Sequence, residues 1–293
     1  MNHYIDLINN SITADLLLNI PEASLREPIV YSLTGGKRWR PIIYLSLFET
    51  SNINLTTFPV LIKMCLFLEY IHTASLILDD MPMMDNDDYR RDRLTLHKVY
   101  GEASCKLSAL QLLLLAQKHF NSCLLELKCL GYYSSDNEYM ELNKMLNVEI
   151  YKYLGISGLC YGQHMDLNLS SGDKDKYMEM ITNKTGSLFI LSFKLGYVLS
   201  RRTSRSLDKI EEIGKHFGYL YQILDDIEDY EDDKDKHNNN ILMFYEHAQI
   251  KPLIYNCYNI LINNINSLSI GCITLQNILL LLKKKWFKTK SML

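Results

Sequence analysis

Residues 58–85 read FPVLIKMCLFLEYIHTASLILDDMPMMD, and before Asp79 only Lys63, Glu69 and His72 bring a charge or an imidazole. An apolar run of this length is too long for a strand. Apolar on every side, it reads as a helix over 58–80 buried in a core. It stops at Met81-Pro82, because the residue before a proline avoids the α region.

Working outward, the same helical grammar holds. Ile5, Ile8, Ile12 and Leu16 recur at helical spacing and mark a first amphipathic helix. Pro28 is expected to open a second short segment ending at Gly35-Gly36, and a third runs from about Pro41 to Glu49. The stretch 83–101 is polar and reads as a loop. Helical patterns resume at about 102–130, 136–155, 157–168, 174–184, 186–201 and 206–230. An acidic, Asn-rich loop then reaches Asn240, and two or three more helices carry the basic cluster Lys283-Lys284-Lys285. Gly (13) and Pro (6) are scarce in the 293 residues, which favours long uninterrupted elements. No β-alternation is sustained and no repeat is visible, so the expectation is a single all-helical domain over 1–293.

Composition removes several function classes. Hydrophobic residues make up 47% and the formal net charge is −3, so a disordered chain or a globally basic nucleic-acid binder is not indicated. The seven cysteines (65, 105, 123, 129, 160, 257, 272) sit singly, without a CxxC pair, and read as thiols in a reducing compartment. The N-terminal stretch resembles neither a secretory signal nor a transit peptide. The apolar stretches at 107–116 and 272–282 are too short to span a bilayer. A soluble, cytoplasmic protein without a transmembrane segment is the expectation.

Two acidic clusters point to chemistry: Asp79-Asp80-Met81-Pro82-Met83-Met84-Asp85 and Asp225-Asp226-Ile227-Glu228-Asp229. Each follows an apolar run and is expected at the end, or on the last turns, of a buried helix. There the carboxylates face the negative helix terminus and repel one another. Asp225 and Asp229 are spaced i, i+4 and share one helix face; Asp79 and Asp85 can converge if Pro82 loosens the turn. Hard divalent cations resolve the repulsion, and carboxylates with water and phosphate suit Mg²⁺. Basic groups alternate with these clusters. Gly35-Gly36-Lys37-Arg38-Trp39-Arg40 places three cations behind a flexible pair, and Arg90-Arg91-Asp92-Arg93 adds three more. Such cations grip phosphate oxygens.

In order along the chain come Gly35-Gly36-Lys37-Arg38, Glu69–Ser75, Asp79–Asp88, Arg90-Arg91, Thr95, His97-Lys98 and Gly101-Glu102-Ala103. Gly162-Gln163, Asp166-Leu167, Lys184-Thr185-Gly186, Gln222 and the second aspartate motif follow. Over roughly 30–245 the chain resembles the geranylgeranyl/farnesyl diphosphate synthases, the trans-isoprenyl diphosphate synthase family. The resemblance implies a bundle of long antiparallel helices around a cavity, the isoprenoid synthase type. It also implies condensation of isopentenyl diphosphate with dimethylallyl, geranyl or farnesyl diphosphate.

Carried over by residue, the resemblance makes Asp79, Asp85 and Asp225 the main ligands of Mg²⁺, with Asp80, Asp226 and Asp229 in support. It implies about three Mg²⁺ per active site. Arg90, Lys184, Thr185 and Gln222 would contact the allylic substrate; Lys37, Arg40, His72 and Arg91 would hold the diphosphate of isopentenyl diphosphate. Ala74 and Ser75, small residues five and four positions before Asp79, leave room for a twenty-carbon product, with a fifteen-carbon product as second choice. A homodimer is also implied.

Some positions depart from the pattern. Asp92, Leu94 and Leu96 stand where the family more often has Gly, Pro and Asn, and Ala109-Leu110 replaces a Gly-Asp pair. A Gly-Lys-Asp element expected after Asp229 is missing from 230–240, leaving Lys234 or Lys236 as candidate phosphate contacts. Two other readings stay open on these residues: a catalytically silent partner subunit, and a class I terpene cyclase of the same fold.

Overall fold

The computed structural model describes residues 1–51, 59–169, 172–200, 206–236 and 239–289, with the backbone alone for 231–236. Contacts divide the chain into two compact units, Met1–Ile42 with Asn54–Glu141 and Ile43–Ile53 with Leu142–Leu293. Each is described by itself.

The first unit holds α1 (Asn2–Asn19), α2 (Ala23–Leu33), the start of α3 (Trp39–Glu49), α4 (Pro59–Asp79), β1 (Tyr89–Arg90), β2 (Arg93–Leu94) and α5 (Leu96–Cys129). It also takes the start of α6 (Asp136–Leu154). At 21 residues, α4 is long and apolar enough to cross a membrane by composition, yet 72% of its most apolar 18 residues is buried among its neighbours. Its partner is α5, against which Phe67 meets Phe120 at 5.5 Å. Each such side chain withdrawn from water contributes about 1.5–3 kcal/mol. A buried polar knot ties α1 to both: Asp15 accepts from Tyr70 Oη at 2.7 Å and lies 3.0 Å from His119 Nε2.

The second unit continues α3 and α6 and adds α7 (Leu159–Asn168), α8 (Lys174–Ile181), a π-helical turn (Thr182–Gly186) and α9 (Ser187–Leu199). After it come α10 (Leu207–Lys236), α11 (Ile241–Phe244), α12 (His247–Ser267) and α13 (Ile273–Thr289). Gly214 and Gly218, one turn apart on α10, let the backbones close up. A Cβ at Gly214 would stand 2.4 Å from Ile190 Cα, and one at Gly218 2.7 Å from Gly186 Cα. Phe189 and Phe217 fill the seam at 4.8 Å. Lys194, 3% exposed, is held between Glu149 and Glu211 at 2.7 Å each. Burial opposes the Glu211 charge, but hydrogen bonds from Lys194, Tyr153 and Lys152 outweigh it and hold the carboxyl down at about 2.

Several elements differ from expectation. The helix α2 starts at Ala23, capped by Glu22, and Pro28 lies inside it rather than opening it. Its first turn forms ahead of the proline, which removes one donor. The region read as a loop over 83–101 contains a two-stranded hairpin with Tyr89 opposite Leu94 and Arg90 opposite Arg93. Arg91 (φ 55°) and Asp92 (φ 59°) form its turn, both left-handed as the right-handed twist of a tight hairpin demands. A glycine suits such a position, and Asp is among the few other residues that tolerate it. The helix α5 begins early, after Thr95, and breaks at Gly101 (φ 79°, ψ 163°). Finally, α10 runs to Lys236, through residues read as a loop, so the helix continues about two turns past the second aspartate motif.

Candidate active site

In the first unit, Asp79 is the last residue of α4. The chain then folds back on itself. Asp85 N–H donates to the Asp79 carbonyl at 2.9 Å, while Met84 and Asn86 both donate to the Met81 carbonyl, at 2.9 and 3.1 Å. Asn86, at φ 52°, closes the loop. Asp79 and Asp85 are thereby held together at one helix end. Asp80 goes inward instead: it is 5% exposed and accepts from Arg90 Nε at 2.9 Å. Burial pushes its carboxyl above the usual range, and the Arg90 charge offsets only part of that.

The cations of this unit have two fates. Gly35 (φ 79°) makes the left-handed turn that ends the α2 connection. Gly36 leaves room for Arg38, whose Nη1 would lie 2.4 Å from a Cβ there. Arg38 is 5% exposed, pairing with Glu69 at 2.5 Å and donating from Nε to Asn9 at 3.0 Å. Of the three cations read as phosphate-gripping in this motif, Arg38 is thus structural. Lys37 is exposed, and Arg40 Nη1 lies 3.0 Å from His72 Nε2. Arg91 donates to the Ser32 and Thr34 carbonyls at 3.3 and 3.1 Å, so it meets the glycine loop from the other side. Arg93 departs as well, stacking over the Tyr31 ring at 3.8 Å. Arg40, His72 and Arg91 therefore gather beside the glycine loop.

Burial, with Arg40, Arg91, Arg90 and Arg38 around it, holds His72 well below its ordinary value of 6.5. The imidazole is neutral near pH 7. Unfolding restores an ordinary histidine, so below about pH 6.5 the unfolded chain binds a proton that the folded chain refuses. Stability is expected to fall as pH drops through that point, by up to roughly 1.4 kcal/mol per pH unit from this group. In urea unfolding at several pH values, His72→Gln should show a shallower slope; an unchanged slope would mean His72 titrates normally.

Ala74 is fully buried, and Ser75 turns its hydroxyl back onto the His72 carbonyl at 2.9 Å. Both stay small.

In the second unit, the π-turn aims Lys184 and Thr185. Lys184 pairs with Asp166 on α7, which also accepts from Asn239 Nδ2 at 2.9 Å. Gly162, one turn before Asp166, permits the approach: a Cβ there would lie 2.1 Å from Lys184 N. Thr185 donates to Gln222 Oε1 at 2.6 Å, and Gln222 Nε2 donates to Asp226 at 2.7 Å. Asp226 is 2% exposed and also accepts from Tyr177 and, at 2.8 Å, from Ile241 N–H. Asn240 Nδ2 donates to its carbonyl at 2.6 Å. Asp226 therefore anchors the chain that follows α10. Asp225 and Asp229 face outward on the neighbouring side of the helix, half-exposed and exposed respectively, and Asp225 pairs with Lys285 of α13. The side chains of Lys234 and Lys236 lie outside the described residues.

Among the described residues, no three carboxylate, imidazole or thiol groups form a ready metal cage. Mg²⁺ binds through one or two carboxylates and fills its octahedron with water and phosphate. Asp79 with Asp85, and Asp225 with Asp229, are hard oxygen donors of that kind. Reading by residue type missed the inward roles of Arg38, Asp226, Tyr177 and the Asn239-Asn240 pair. It also missed Lys285 on Asp225.

All-helical architecture with these carboxylate and cation sets defines a protein of the isoprenoid synthase fold. The polyprenyl synthetase family model matches residues 22–243, and the chain belongs to that family. It is 35% identical over 204 residues to geranylgeranyl pyrophosphate synthase 4 of Arabidopsis thaliana, covering 67% of this chain and 50% of that protein. It is 32% identical over 242 residues to a farnesyl diphosphate synthase of Micrococcus luteus, covering 78% and 73%. The chain thus spans 50% to 60% of the length of the first plant relatives it matches. Among solved structures, a geranyltransferase from Legionella pneumophila superposes with a TM-score of 0.80 at 26% identity, covering 99% of this chain and 96% of that one. A geranyltransferase from Helicobacter pylori, complexed with magnesium and isoprenyl diphosphate, shares the fold at 24% identity and a TM-score of 0.74, over 91% and 89% of the two chains.

Proposed function

We propose that this chain is a Mg²⁺-dependent trans-prenyltransferase that condenses isopentenyl diphosphate with allylic diphosphates, with geranylgeranyl diphosphate as product. The observation that carries the reading is the cation cluster of Arg40, neutral His72 and Arg91 against the glycine loop, alongside the carboxylate sets. A terpene cyclase has one diphosphate to hold and no use for such a second, metal-free anion site.

In this reading Lys37, Arg40, His72 and Arg91 hold the diphosphate of isopentenyl diphosphate. Arg90, Lys184, Thr185 and Gln222 contact the allylic diphosphate. Asp79, Asp85 and Asp225, with Asp229, would hold Mg²⁺. When bound, Mg²⁺ supplies charge neutralisation for the departing diphosphate. The allylic carbon–oxygen bond breaks and the leaving oxygen keeps the electron pair. The double bond of isopentenyl diphosphate then supplies the electrons of the new carbon–carbon bond. A proton passes to the released diphosphate, and the product is again an allylic diphosphate. Asp80 fixes the Arg90 guanidinium and Asp166 the Lys184 ammonium, so these donors stand ready where negative charge develops. The small Ala74 and Ser75 support the twenty-carbon product.

The reading extends to a homodimer. Leu107, Leu110 and Leu114 are 55–59% exposed and recur at helical spacing on one face of α5, an apolar patch that a second copy would cover.

The test is elongation. Purified chain, Mg²⁺ and radiolabelled isopentenyl diphosphate, with each of three primers of five, ten and fifteen carbons, should give products up to twenty carbons. Asp79→Ala with Asp225→Ala should lower the rate by at least ~10³-fold. Light scattering on the same sample should give twice the monomer mass. Folded protein without elongation would overturn the reading in favour of a silent subunit.

A further inference from the structure

Three lysines, Lys283, Lys284 and Lys285, sit together on α13, yet only one turns inward. Lys283 and Lys284 are exposed, while Lys285 has 21% of its side chain accessible, between buried Leu282 and Trp286. Its ammonium pairs with Asp225 Oδ1 and lies 3.0 Å from Glu228 Oε2. Glu228 also takes Lys288 at 2.5 Å. Glu228 occupies an intervening position of the aspartate motif, one with no metal role in the reading above. Here it clamps α13 onto α10 through two lysines.

Asp225 Oδ1 cannot serve an ammonium and a metal ion in the same geometry. Both are cations drawn by the same carboxylates, so whichever binds must repel the other. We propose that Lys285 is the resident counter-ion of Asp225, which a divalent cation must displace, so that metal entry at the second aspartate motif moves α13. The proposal rests on the reading that Asp225 is a metal ligand. Lys285 acts through Asp225, as a positioning residue. It relieves the repulsion among Asp225, Glu228 and Asp229 while no metal is bound, and so sets how readily metal enters. Trp286, the next residue, is 5% exposed and sits edge-on to Tyr255 at 6.2 Å, so a shift of α13 alters its surroundings.

The test titrates Mn²⁺ alone into the full chain carrying Asp79→Asn and Asp85→Asn, so that the second motif is the carboxylate site left. Free Mn²⁺ is read by electron paramagnetic resonance. Lys285→Met is expected to bind Mn²⁺ roughly 5- to 10-fold tighter, and Lys285→Arg to keep the weaker affinity. A residue that merely held the fold would weaken metal binding when lost, so a gain is diagnostic. If methionine unfolds the chain, Lys285→Gln serves in its place. With Trp39→Phe added, Trp286 is the one tryptophan left of two, and its emission should shift with Mn²⁺ when Lys285 is present. Unchanged or weaker affinity in Lys285→Met, or no Trp286 response, overturns the proposal. Asp225→Asn separates the levels: if it leaves Mn²⁺ binding intact, the metal reading of Asp225 falls as well.

Discussion

Replacing Arg38 with methionine is expected to destabilise the fold by about 3–5 kcal/mol, because it strands the Glu69 carboxylate without its counter-ion. Both partners are almost wholly buried, with side chains 4% and 2% exposed. The guanidinium also donates to Asn9 and to the Leu33 carbonyl, so it joins α1, the end of α2 and α4 through one side chain. Removing the charge on both sides should restore much of the loss: Arg38→Met with Glu69→Leu leaves no isolated ion. Stability and substrate handling should then separate. Arg38 is at φ 56°, between Lys37 and Trp39, and its burial sets the course of the loop carrying Lys37. On the role proposed for Lys37, the double variant is expected to regain its urea midpoint while keeping a raised KM for isopentenyl diphosphate. A single variant within about 1 kcal/mol of the parent would show that the pair is not the anchor.

This pair marks the boundary of what the sequence makes legible. Apolar spacing is a local property, so α1 announces itself through Ile8, Ile12 and Leu16, and α4 through its unbroken apolar run. Which charge turns inward is not local. Arg38 and Arg40 are both cations after a glycine pair, yet one is buried against Glu69 and the other stands at His72. Asp225 and Asp226 are about 100° apart on one helix. The i, i+4 spacing sets Asp225 and Asp229 on one helix face, but only packing by Tyr177 and Ile241 shows that Asp226 is the inward neighbour. Lys285 meets Asp225 from 60 residues away, beyond any local pattern. The π-turn at 182–186 is likewise silent in composition, since it shifts the helical register without a proline, and Lys184 within it reads like any charge on a helix. Gly214 and Gly218 look like weak points in a helix, and become necessary only once α9 and the end of the π-turn lie against them.

Gly162 is the same kind of residue placed at the candidate site, and Gly162→Ala is expected to cut turnover by roughly 10²-fold. The added Cβ would meet Lys184 N at 2.1 Å, Asn183 C at 2.5 Å and Lys184 Cα at 2.6 Å. All three are backbone atoms and have no rotamer to change. The helix α7 and the π-turn must part by ~1 Å to restore ordinary contact, a strain of about 1–3 kcal/mol in a packed interior. The displacement carries two functional groups in opposite directions. Asp166 rides on α7, one turn after Gly162, and Lys184 rides on the π-turn, so their ion pair is pulled apart as the backbones separate. Lys184 then loses the partner that aims it, and a misplaced ammonium stabilises the leaving diphosphate poorly, which lowers kcat. The cation cluster around His72, proposed above to hold isopentenyl diphosphate, belongs to the first unit, so KM for that substrate should stay near its original value. Gly271→Ala serves as the control: its Cβ would meet only the Ile265 side chain, at 3.6 Å, and should change neither turnover nor melting temperature. If Gly162→Ala behaved like that control, the close approach of α7 to the π-turn would not be what positions Lys184.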